Sequence, residues 1–160
     1  MTDMKRIRNR ILSLLLVVLW CGLIFGASAQ NGKESGALSG MIVDLVMRLF
    51  GLSSDRIHDV LTLLVRKGAH MSEYAILLLL LLWLLSSWTS LRGVGLYSLS
   101  LGIAVIFAAS DEYHQTFVDG RAGSVRDVVI DSCGAVLMLG VVLIVRRLLR
   151  RNTAAPTGES

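Results

Sequence analysis

Residues 66–85 read RKGAHMSEYAILLLLLLWLL, and the fold turns on how they are placed in a solvent. From Tyr74 to Leu85 the stretch is unbroken apolar sequence. As a helix rising about 1.5 Å per residue it reaches only about 18 Å, short of a hydrocarbon core of roughly 30 Å. A helix that crosses a membrane here must therefore take in His70 and Glu73, which puts ionisable groups within the bilayer or at its edge.

The sequence on either side repeats this pattern. Upstream, Ser53-Ser54-Asp55 offers a helix cap, and Ile57, Val60, Leu61, Leu64 and Val65 share one helical side. A third apolar run, about Val94 to Ala109, meets Ser110-Asp111-Glu112-Tyr113-His114-Gln115 at its end. The fourth lies between Asp127 and Arg146, and counting about 20 residues back from Arg146 brings Asp131 into or beside the bilayer. The first runs from Ile11 to about Ala27 and ends in Ala27-Ser28-Ala29, a small-x-small pattern that a cleaved leader would also show. It is long for a leader's apolar region, so its retention as a first helix is expected. Leu38, Met41, Ile42, Leu45, Val46 and Leu49 recur at helical spacing with Asp44 and Arg48 opposite, a short amphipathic segment suited to the interface.

The predicted fold is all-α: an integral membrane protein with four transmembrane helices and a short amphipathic interfacial helix in the first outer loop. A hydrophobic content of 54%, a mean hydropathy of +0.66 and a single proline in 160 residues agree with helices in lipid. One domain over residues 1–150 and a disordered cytoplasmic tail over 151–160 are expected. The net charge of +4 does not point to nucleic acid, because the basic residues gather at the ends. Lys5, Arg6, Arg8 and Arg10 precede the first run, and Arg146, Arg147, Arg150 and Arg151 follow the last. Such flanks hold loops in the cytoplasm, so both termini are predicted cytoplasmic. Ten of the twelve acidic residues, all but Asp3 and Glu159, then fall outside, together with seven Lys or Arg. Cys21 and Cys133 stand alone in apolar sequence and read as small apolar residues.

Three helices thus carry polar residues toward one end. Lys67, His70 and Tyr74 share a helical face with Glu73 beside it; Asp111, His114 and Gln115 share another; Asp127 and Asp131 stack one turn apart. Arg121 lies between them in Asp119-Gly120-Arg121-Ala122-Gly123, where the glycines allow a tight turn. Ion pairs such as Arg121 with Asp127 or Lys67 with Asp111 would suffice to fasten the helices. A group this large goes beyond that need and points to function.

At these residues the chain resembles the VanZ-like membrane protein family. The resemblance is carried by Trp20 to Ser28 with Ala29-Gln30-Asn31-Gly32, by Arg66-Lys67-Gly68-Ala69-His70-Met71-Ser72-Glu73-Tyr74, and by Ser110 to Asp127 continuing through Asp131-Ser132-Cys133-Gly134-Ala135. It implies a bacterial envelope protein in the cytoplasmic membrane, from a family whose founding member is linked to resistance to glycopeptides such as teicoplanin. At Asp119 the chain departs from the proline or small residue expected before Gly-Arg.

Two readings of the cluster follow. In one, His70 or His114 is a general acid or base, Asp111, Asp127 and Asp131 orient it or hold a divalent cation, and Arg121 with Lys67 engages a phosphate on a lipid-linked or envelope substrate. In the other, the basic groups grip a lipid headgroup, cell-wall precursor or antibiotic without turnover, the aromatics Tyr74, Tyr113 and Phe117 give a packing surface, and Glu73, Glu112 and Gln115 complete the pocket. No serine or cysteine nucleophile motif stands out, so catalysis is left open. Ion transport is disfavoured by the apolar inner halves of the helices.

Overall fold

The computed structural model describes residues 3–30 and 32–153, with the side chains of 32–35, 38, 152 and 153 left aside. Five helices make up these residues: α1 (Asp3–Ser28), α2 (Gly32–Phe50), α3 (Asp55–Trp88), α4 (Gly93–Gln115) and α5 (Val125–Thr153). All except α2 are long and apolar enough to cross a membrane. α5 continues to Thr153, so its end includes the first three residues of the expected tail, and 154–160 lie outside the described residues.

α3 is the central helix, and each of the others packs on it, α5 most extensively. Its Tyr74, Leu77, Leu78, Leu81 and Leu82 are buried, together with Ile24 of α1, Leu96, Ala104 and Ala108 of α4, and Ala135 of α5. In lipid such burial gains little hydrophobic free energy, so close backbone approach matters more. Gly134 supplies one: a Cβ there would strike the backbone carbonyl of Met71, so α5 rests directly on the α3 backbone.

With 34 residues, α3 extends about 51 Å and overshoots the hydrocarbon core. Its first turns form the ledge on which α2 lies. Ser54 occupies the predicted N-cap position of α3, but its side chain makes no capping bond; its carbonyl accepts from the His58 N–H at 3.0 Å. α2 starts at Gly32, earlier than Leu38, and packs through Ser39, Val43 and Met47, a stripe the apolar periodicity did not single out. Of the predicted apolar stripe, Met41, Leu45 and Leu49 are exposed on the face turned away from the protein, which suits an interfacial helix.

Contacts between helix ends establish the topology. At one end Arg10 Nε donates to the Ser87 carbonyl, Trp88 Nε1 donates to the Arg10 carbonyl, and Arg146 meets Tyr97. This end gathers the start of α1, the end of α3, the start of α4 and the end of α5, so both described chain ends lie together. The opposite end holds the polar cluster.

Candidate functional site

The cluster is built on α4, whose helix continues past the apolar run as far as Gln115, so Asp111, Glu112 and Gln115 are buried on its inner side. Asp111 is 0% exposed and Ser28, at the end of α1, is 1% exposed. Ser28 Oγ donates to Asp111 Oδ2 at 2.7 Å, and Gln115 Nε2 donates to the same oxygen at 3.3 Å and to Glu112 Oε1 at 3.0 Å. The other Glu112 oxygen accepts the Ser124 backbone N–H at 2.9 Å. The loop after α4 turns on Gly120, at φ 73°, and closes on Gly123, where a Cβ would collide with the Glu112 carbonyl. The glycines thus bring Ser124 against Glu112, and the loop carries Arg121 back over the end of α1.

There Arg121 acts as a clasp. Its Nε donates to the Gln30 carbonyl at 2.8 Å, Nη2 to the Ala27 carbonyl at 3.2 Å and Nη1 to Gln115 Oε1 at 3.3 Å. It ties the loop to the end of α1 through the Ala27 carbonyl, which also accepts from the Gln30 N–H at 3.3 Å, and through the Gln30 carbonyl just beyond the helix. Burial draws the guanidinium below its ordinary value, and the neighbouring Arg66 charge adds to this, while Asp111, Glu112 and Glu73 oppose it.

On the α3–α5 side Lys67 Nζ lies 2.5 Å from Asp127 Oδ1. His70 Nδ1 sits 3.6 Å from Glu73 Oε2 and 3.9 Å from Asp131 Oδ1, too far for a hydrogen bond to either. His70 Nδ1, Tyr74 Oη, Asp111 Oδ1 and Asp131 Oδ2 are buried and have no hydrogen-bond partner among the described residues. Buried polar atoms left unpaired are costly, and four on three adjacent helices mark where water, a proton or a ligand atom is needed. A cavity of about 170 Å³ opens beside them, lined by Arg66, His70, Glu73 and Arg121 together with apolar Ala27, Ile42, Val65 and Ala69. α2 covers it with Ser39 and Ile42.

The match of a family model, described as VanZ/LLP1, extends over residues 13–146. The chain belongs to the VanZ/LLP1 family. Comparisons with curated proteins and with solved structures give no match. In this VanZ-like chain the matched stretch begins at Ser13 and takes in the second half of α1, including Ser28, which is buried in the cluster.

Of the residues that the sequence singled out, His70, Glu73 and Arg121 line the cavity. Asp111, Glu112, Gln115 and Asp131 form the buried layer behind it, and Tyr74 is buried alongside. His114 sits apart from the cavity wall, its ring 5.1 Å from that of Phe25. The pairings differ from those expected: Lys67 joins Asp127 rather than Asp111, and Arg121 joins carbonyls and Gln115 rather than Asp127. Sequence reading missed Ser28 and Arg66 as site residues, although both stand in the stretches that carried the resemblance. Among the described residues no group of three His, Cys, Asp or Glu side chains is placed to hold a metal ion.

Proposed function

We propose that this VanZ-like membrane protein holds the anionic, phosphate-bearing headgroup of a lipid-linked or other cell-envelope component in the cavity between α1, α2 and α3. One observation carries the reading. Arg66 and Arg121 face the same small cavity, and among the described residues neither has a carboxylate within ion-pair distance. Two guanidiniums held together in a partly apolar setting call for a shared anion, and their planar donor forks suit phosphate. About 170 Å³ accommodates a headgroup phosphate rather than a whole lipid, while the exposed apolar face of α2 offers a neighbouring surface for the chains.

The eight Lys and Arg that flank the first and last apolar runs lie at the end opposite the cavity. By the positive-inside rule that end faces the cytoplasm, which puts the site on the outer face of a bacterial cytoplasmic membrane. There it could meet cell-wall precursors, the targets through which a link to glycopeptide resistance would act.

Binding is favoured over turnover because three of the five site carboxylates already have partners, Asp127 in Lys67, Glu112 in Ser124 and Gln115, and Asp111 in Ser28. Processing is kept as a second reading on the position of His70 between Glu73 and Asp131.

Arg66 gives the cleaner test, because Arg121 also fastens α1. Lipids retained after gentle purification are compared by mass spectrometry between wild type and Arg66→Gln. Loss of one charge-assisted contact lowers anionic lipid retention about tenfold. Unchanged retention would overturn the proposal, and hydrolysis of a lipid pyrophosphate that is lost in His70→Ala would favour processing.

A further inference from the structure

The wall that carries Arg66 and Arg121 also carries a carboxylate. Glu73 lines the same cavity from α3, two helical turns beyond Arg66 and so about 10 Å farther into the bundle. Its backbone is pinned to α1, because Trp20 Nε1 donates to the Glu73 carbonyl at 2.9 Å. Among the described residues the carboxylate accepts no hydrogen bond, and the one basic atom within ion-pair distance, His70 Nδ1 at 3.6 Å, is too far to donate one. The side chain is 27% exposed, so its oxygens face the cavity with their acceptor capacity unspent.

A bare phosphate held by two guanidiniums would bring negative charge toward Glu73 and offer it no donor. The ligand therefore needs a donor beyond its phosphate, on an arm short enough for a cavity of about 170 Å³. An ammonium would supply one, but as a third cation beside two guanidiniums in that small space. Neutral hydroxyls avoid this, and the two oxygens of a carboxylate match a pair of neighbouring hydroxyls, much as an acidic residue holds a ribose. We infer that the cavity selects a phosphodiester ending in a 1,2-diol, the phosphoglycerol headgroup of a phosphatidylglycerol-type lipid, an assignment that rests on the phosphate site proposed above. The phosphate lies on Arg66 and Arg121, the diol enters first and reaches Glu73, and the acyl chains leave past α2.

The test titrates delipidated full-length protein in detergent with phosphatidylglycerol, phosphatidic acid, phosphatidylethanolamine and phosphatidylcholine of matched acyl chains, counting bound lipid by native mass spectrometry. Charge alone would rank phosphatidic acid first. Phosphatidylglycerol is expected to lead it by about tenfold. Glu73→Gln reverses that order, weakening phosphatidylglycerol about tenfold and, by removing a negative charge, tightening phosphatidic acid. Arg66→Gln weakens both. Wild-type affinity for phosphatidic acid or phosphatidylethanolamine equal to that for phosphatidylglycerol would overturn the diol and leave the phosphate site standing, as would an unchanged order in Glu73→Gln. No preference for either anionic lipid over phosphatidylcholine would overturn the phosphate site and the diol with it. Soluble glycerophosphoglycerol competing at the same concentration as phosphatidylglycerol would overturn the lipid source. The wild-type ranking decides the diol whether or not the Glu73→Gln chain folds.

Discussion

Asp111 is the residue on which the polar cluster depends most. A fully buried carboxylate needs its charge or its proton satisfied, and Ser28 supplies the shortest bond to it from a helix that begins the chain. Ser28→Ala removes that donor and leaves Gln115 to serve alone, so a loss of about 1–3 kcal/mol in stability is expected. Thermal unfolding in detergent checks this, and an unchanged midpoint would show that Asp111 draws its partner from elsewhere. Ser28→Thr, which keeps the hydroxyl, should recover part of the loss. The residue types and their helical spacing located Asp111, Gln115 and His70 from the sequence. Which partner each would take was not legible, because Lys67 reaches Asp127 only through the rotation of α3 against α5. His114 makes the same point, since its ring lies against Phe25 across a separation in sequence that periodicity does not address.

The four crossings at the level of elements follow from apolar length, and α2 follows from its mixed periodicity. What sets the elements against one another is closeness of backbone, and α5 offers a paired test of it. At Gly134 a methyl group would meet the Met71 backbone, whereas at Gly140 of the same helix nothing lies within 4 Å. Gly134→Ala is expected to destabilise by about 1–3 kcal/mol or to shift α5 outward, and Gly140→Ala to be neutral or slightly stabilising through helix propensity. Unfolding of the two variants in parallel decides it; equal effects would rule out a close α3–α5 contact. From sequence alone both are glycines in one apolar helix and cannot be told apart. The packing stripe of α2 was hidden for a related reason: Val43 and Met47 look no more apolar than Met41 or Leu45, and only the position of α3 selects them.

For the whole molecule, the ion-bearing ends are opposite in composition, with nine Lys and Arg, counting Arg92, at the terminal end and the acidic residues concentrated at the other. In a variant with Cys21 and Cys133 replaced by Ala, Ser53→Cys should react with a membrane-impermeant maleimide in intact cells, and Thr89→Cys should react only after lysis. The reverse pattern would invert the topology and place the Arg66–Arg121 cavity on the cytoplasmic side. The sequence by itself determined that the chain is a helical membrane protein with four crossings, an interfacial helix and polar residues collected at one end, because lipid compels apolar length and penalises every stray charge. Only the tertiary structure decided that α1 and the residues just after it complete the cluster through Ser28 and the Ala27 and Gln30 carbonyls, that Asp111, Glu112 and Asp127 take partners while Asp131 does not, and that Arg66 and Arg121 meet at one cavity. Those outcomes depend on helix rotation and on the close approach of residues far apart in the chain, which local periodicity does not encode.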